Sequence, residues 1–274
     1  MVSMSLSPIA QVVVILMLQA GCAQAQSNSA PAKPQSPPTP ATSQSGRNLD
    51  AILDALDARG RNLKDLSADV SLTTTDTSLG ESSVRSGTLL LQNQADGDTR
   101  IHIVFDQVIE GNKIRKTKTE YLLADEFLYD RNYTKKQQVK RQVREKGEKT
   151  SPIKLGEGPF PLPIGQSKEE VYRQFDVELP ASAPDGETPP PDTEHVRLIP
   201  HKGTRMARQF PTIDIWVDTH NDMPVRISVP DKNGTSTQTT NLRNVKINEG
   251  VPDNAFELSQ VPDGWSQTDE EYRD

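Results

Sequence analysis

The chain is expected to be an α+β protein: a single large curved antiparallel sheet with an N-terminal helix and a short helix inserted after its first half. Three patterns predict this. Apolar residues recur at helical spacing just after position 48, they alternate with polar ones in most later segments, and turn-forming clusters separate the alternating runs.

In chain order, the first 25 residues carry no charged side chain, and an apolar run from Val12 to Leu18 leads into Ala20-Gly21-Cys22-Ala23-Gln24-Ala25. This reads as a secretory signal peptide over 1–25, because the run is far shorter than the roughly 20 apolar residues that span a bilayer. Two processing routes remain open. Ala23-Gln24-Ala25 has the A-x-A form of a signal-peptidase site, whereas Leu18-Gln19-Ala20-Gly21-Cys22 resembles a lipobox and makes Cys22, the single cysteine, the lipidation candidate. The protein is therefore expected in the periplasm, either soluble or lipid-anchored through Cys22. Residues 26–46 contain five prolines and five serines with no large apolar side chain, so they predict a disordered linker.

Asn48 caps a helix with apolar positions Leu49, Ile52, Leu53 and Leu56, extended by the same spacing to Leu63 and Leu66, with Gly60 marking an end or a break. Period-two alternation follows at Val70 and Leu72, at Leu89 and Leu91, and at Ile101, Ile103 and Phe105. It returns at Ile213, Ile215 and Val217 and at Val225, Ile227 and Val229. Turn clusters at 95–98, 219–222 and 231–234 predict antiparallel pairing of successive strands. Between the two halves, Phe160, Leu162 and Ile164 sit on a Pro-rich segment, and Ser167 with Glu170 forms a capping box for a short helix. A loop with five prolines is expected over 180–194, and residues 266–274 read as an acidic tail after a domain over 47–265.

Composition narrows the function. A net charge of −7 argues against a nucleic-acid binder held by a global positive field, and one cysteine excludes an internal disulfide and a four-thiolate zinc site. The chain holds no G-x-S-x-G, H-E-x-x-H, P-loop or G-x-G-x-x-G motif. His195 and His201 have even spacing, but Pro200 interrupts them and no third ligand is near. No catalytic residue, metal site or cofactor is predicted. One charge feature stands out: 12 basic and six acidic residues lie between Lys113 and Lys149, a local +6 in a chain whose remainder sums to −13. It is either a solvated face or a patch for anionic headgroups.

The closing third carries a resemblance. Thr212-Ile213-Asp214-Ile215-Trp216-Val217-Asp218 leads through a turn to Met223-Pro224-Val225-Arg226-Ile227, then to the Thr-rich run 235–242. The run from Asp253 through Phe256 to Pro262-Asp263-Gly264, spaced D-x-x-F-x-x-x-x-x-P-x-G, is similar to a D-x-x-x-F-x-x-x-x-P-x-G closing pattern. Together with the N-terminal helix, the strand around Ser67–Thr75 and Pro159-Phe160, these resemble the bacterial lipoprotein carrier and receptor superfamily of LolA/LolB type. The resemblance covers roughly 47–265. It departs at Leu90 and at Gln92-Asn93-Gln94, where carriers have a Trp and a Lys-Arg-Pro, so no lid-latching arginine is identifiable.

The resemblance implies an unclosed antiparallel barrel with a short lid helix on its concave face, sheltering acyl chains of lipoproteins or another lipid. On that reading the cavity candidates are Val70, Leu72, Leu89, Leu91, Ile101, Ile103, Phe105, Ile213 and Ile215, with Phe160, Leu162 and Ile164 as lid. The expected protein is a monomeric non-enzyme of outer-membrane lipoprotein sorting, with acylated lipoproteins or lipid as partners, the basic stretch 113–149 as a membrane contact and no nucleic acid. The alternative is a lipid-anchored envelope sensor or scaffold using the same fold for protein interaction.

Overall fold

A computed structural model describes residues 47–95, 97–145, 164–184, 188–252 and 254–271. The signal segment, the linker, Cys22, Phe160 and Leu162 lie outside the described residues, as do Lys146 and Lys149 of the basic stretch.

Helix α1 (Leu49–Arg61) begins where expected: the Ala51 N–H donates to the Asn48 side-chain oxygen at 2.8 Å, and Asp50 stands in the first turn. It ends at Arg61, so Leu63 and Leu66 are not helical; Leu66 lies on the first strand. Gly60 does not break the helix. A Cβ there would lie 2.1 Å from the Gly165 nitrogen, so the glycine lets the Ile164-Gly165 backbone cross the helix end.

The strands are β1 (Asp65–Asp76), β2 (Glu81–Asn93), β3 (Thr99–Glu110), β4 (Lys113–Ala124), β5 (Phe127–Asn132) and β6 (Gln137–Gln142). After helix α2 (Lys168–Gln174) come β7 (Phe175–Glu178) and β8 (Thr193–Pro200). Helix α3 (Arg205–Gln209), absent from the sequence expectation, precedes β9 (Ile213–Asp218), β10 (Pro224–Pro230), β11 (Ser236–Ile247) and β12 (Ser266–Glu270). All 12 strands form one sheet in the order β12-β6-β5-β4-β3-β2-β1-β11-β10-β9-β8-β7. Two meanders, β1–β6 and β7–β11, join along the β1/β11 seam, and the sheet does not close because β12 and β7 remain its edges. This is the single unclosed sheet that was expected.

Two details correct the sequence reading. Residues 266–270 are an edge strand and not a tail, and β12 pairs parallel with β6 in an otherwise antiparallel sheet. The run Ser-Gln-Thr-Asp-Glu has no apolar alternation to announce it; backbone pairing alone places it. Bulges at Ser86/Gly87 and at Phe105/Gln107 bend β2 to β4. At the first of these a Cβ on Gly87 would lie 1.8 Å from the Val104 carbonyl oxygen, so only glycine fits.

Both helices α1 and α2 pack on one face of the sheet, here called inner. Their cluster joins Ile52, Leu53, Leu56, Val171 and Phe175 to Val196, Leu198, Ile213, Ile215 and Ile227. A second inner cluster spans β1 to β5. On the outer face, Ala255 and Phe256 of the segment following β11 cover Leu122, with Leu90 and Tyr129 beside it.

Candidate functional site

The inner face of β1 to β5 is built by strand register. Leu66 pairs with Leu91, Leu91 with Ile101, Ile101 with Leu123 and Leu123 with Leu128, so one row of apolar side chains crosses five strands. The next row runs through Leu89, Ile103 and Tyr121. Seven of the predicted cavity residues belong to this cluster: Val70, Leu91, Ile101, Ile103 and Phe105 are 3–6 % exposed, while Leu72 and Leu89 are half-buried at its margin. Ile213 and Ile215 do not join them. They are wholly buried in the other cluster, beneath α1.

Ile164 is buried in the β1–β5 cluster, the one lid candidate whose place is described. It also lines a cleft of about 190 Å³ with Gly60, Arg61, Asn93, Gly97, Thr99 and Gly165 at the end of α1. Helix α2 starts as its sequence predicts, the Ser167 hydroxyl accepting from the Glu170 N–H, and its buried Val171 packs with the α1 cluster. Sequence reasoning missed Leu66, Tyr121, Leu123, Leu128 and Met223 as members of the β1–β5 face. In β4 the signal is masked because Leu122, between Tyr121 and Leu123, is buried on the outer face.

Next to the apolar rows the inner face turns polar. Asp130 is the register partner of Tyr121, and Arg141 reaches Asp130 at 3.7 Å and Glu270 at 2.7 Å. Burial, reinforced by the Asp130 charge, pushes the Tyr121 phenol up to about 12. Burial raises the Asp130 carboxyl against the pull of Arg141, and burial lowers the Arg85 guanidinium from its ordinary value.

The outer face holds two histidine–carboxylate pairs. His102 meets Glu120 at 3.1 Å and the Ala255 carbonyl, while Tyr133 donates to Glu120 at 2.8 Å and stacks edge-on against Trp265. Burial pushes the Glu120 carboxyl up, but hydrogen bonds from His102 and Tyr133 and the Lys118 charge outweigh it and hold the group at about 2. His195 lies 2.7 Å from Asp214 and stacks on Trp216, and Arg197 donates to the same carboxylate. These pairs tie strands and the closing segment together. His201 instead faces Asp176, away from His195, and among the described residues no three His, Cys, Asp or Glu side chains are placed to hold a metal ion.

Much of the basic stretch is internally neutralised. Arg115 pairs with Glu110, Lys118 with Glu120, Arg141 with Asp130 and Glu270, and Arg144 with Asp98, while Arg131 is buried against Gln138 and Ser259. No described helix is long and apolar enough to cross a membrane.

No family model and no curated protein matches the chain. Solved structures do resemble it. An uncharacterized conserved protein from Thermus thermophilus is 12 % identical with a TM-score of 0.46, covering 80 % of this chain and 98 % of that one. LprF from Mycobacterium bovis is 15 % identical with a TM-score of 0.36, covering 79 % and 97 %. A LolA superfamily protein from Nitrosomonas europaea is 10 % identical with a TM-score of 0.35, covering 78 % and 99 %.

Proposed function

We propose that this chain is an exported envelope protein that holds the acyl chains of lipoproteins, or of another lipid, against the inner face of β1 to β5, and that it is not an enzyme. The observation that carries the reading is the unequal cover of one apolar face: α1 and α2 commit their buried side chains to the β7–β10 half, while Leu72 and Leu89 stay half-buried on the other. Capture needs no bond-making, since each methylene moved out of water contributes about 0.8 kcal/mol. Phe160 and Leu162 serve as lid. Ile164, which follows them in the chain, is buried on that face.

The test is native mass spectrometry followed by lipid extraction on protein purified from its own host. A stoichiometric co-purifying lipid or acylated peptide is expected, and Leu89→Asp, at a half-buried site, should lose it while remaining folded. A lipid-free wild type that takes up no offered lipoprotein would remove the carrier reading and leave the anchored scaffold. Cys22→Ala moves the protein from membrane to soluble fractions if Cys22 is acylated; unchanged fractionation places cleavage after Ala25.

A further inference from the structure

The inner face carries a cation that its own neighbours leave without an ion pair. Arg85 lies on β2 in the cross-strand row Leu72, Arg85, Val108, adjoining the proposed acyl site. The two carboxylates whose charge reaches it are Glu110 and Asp130, and these are engaged by Arg115 and Arg141. Among the described residues Arg85 makes no ion pair, and of the side chains that act on its charge Tyr121 acts most strongly. Other buried or half-buried arginines are satisfied: Arg141 meets Glu270 at 2.7 Å, Arg197 meets Asp214 at 2.8 Å and Arg144 meets Asp98 at 2.6 Å, while Arg59, Arg131 and Arg226 donate to neutral oxygens of Asn221, of Gln138 and Ser259, and of Asn241 and Thr188. Arg85 is half-buried; a guanidinium partly withdrawn from water with no counter-charge is unfavourable, and a bound anion relieves it.

Resting on the acyl-binding reading above, we propose that Arg85 and the Tyr121 hydroxyl bind the anionic headgroup, a carboxylate or a phosphate, of an amphiphile whose chain lies along Leu89, Leu91, Ile101 and Ile103. The geometry suits this. Tyr121 is the register partner of Ile103, and Leu72 is that of Arg85, so the two polar groups border the apolar rows directly. The Tyr121 phenol, pushed up by burial, keeps its proton and offers a donor to an anion's second oxygen. A guanidinium presents paired donors that match either head.

The test uses delipidated exported protein and three probes of equal chain length: hexadecanoic acid, palmitoyl lysophosphatidate and hexadecanol, each titrated by displacement of a neutral fluorescent reporter. Wild type should hold at least one anionic probe tenfold or more above the alcohol, and the stronger of the two identifies the head. Arg85→Gln should bring that probe down to the alcohol's affinity and leave the alcohol within twofold of wild type. Arg85→Lys should restore part of the preference, and Tyr121→Phe should cost less than Arg85→Gln. Equal binding of all three probes by wild type, or a preference that survives Arg85→Gln, overturns the headgroup site and leaves the acyl site standing. Failure of every probe to bind overturns both.

Discussion

The β7–β10 half and the β1–β5 half of the sheet display the same alternation, yet they are finished differently. In the first, Val196, Leu198, Ile213 and Ile215 are wholly buried because α1 and α2 lie across them. In the second, the apolar rows run to a margin where Leu72 and Leu89 are half-buried and where Arg85, Tyr121, Asp130 and Arg141 begin. Alternation marks which face of a strand is apolar; it does not say whether a helix of the same chain will cover it. Ile213 and Ile215 illustrate this, since their pattern matches that of Ile101 and Ile103 and their surroundings do not.

The contrast can be attacked directly. The largest effect is expected at Ile215→Asp, which puts a carboxylate with no partner under α1 and should remove more than about 4 kcal/mol, enough to abolish a cooperative thermal transition. Next, Leu56→Ala on α1 should cost about 2–5 kcal/mol in denaturant titration, and Leu89→Ala about 1 kcal/mol because part of its surface already meets solvent. Equal losses at the two leucines would show that both halves are equally sealed and would end the distinction. The smallest effect concerns the outer face. With Glu120 held at about 2 in the folded protein against 4.5 unperturbed, its contribution is full above pH 4.5 and fades as the pH falls toward 2. The melting temperature of Glu120→Gln should therefore fall less steeply than that of wild type across that window, and an identical slope would mean the His102–Glu120–Tyr133 cluster does not fasten the closing segment.

Where apolar residues alternate along a strand, the sequence shows it, and β1 to β3, β9 and β10 could be read in that way. Strand β4 was hidden by Tyr121-Leu122-Leu123, three consecutive buried residues, because the segment carrying Ala255 and Phe256 dries its outer face as well. Strands β5 and β6 were hidden by burying charge: Arg131 against Gln138 and Ser259, Arg141 against Asp130 and Glu270. A binary pattern scores such residues as surface, which is also why the basic stretch looked freer than it is. The helical spacing that continued from Leu56 to Leu63 and Leu66 was coincidental, since those leucines serve the β1–β5 cluster and not the helix. The site was legible to the extent that it follows alternation. Arg85 was invisible, because an isolated arginine in a polar run carries no sign of its inward register.

The seam between β1 and β11 sets the order of assembly. Lys64 and Asn248, hydrogen-bonded beside that seam, are 184 residues apart in the chain. The first six strands can zip up by local hairpins, but β1 then keeps an open backbone edge until β11 has been made and delivered. Loop closure over such a separation is slow, so refolding should be limited by this late pairing. A nascent chain waiting for it presents its β1 edge as the place where a second, equally unfinished copy would add.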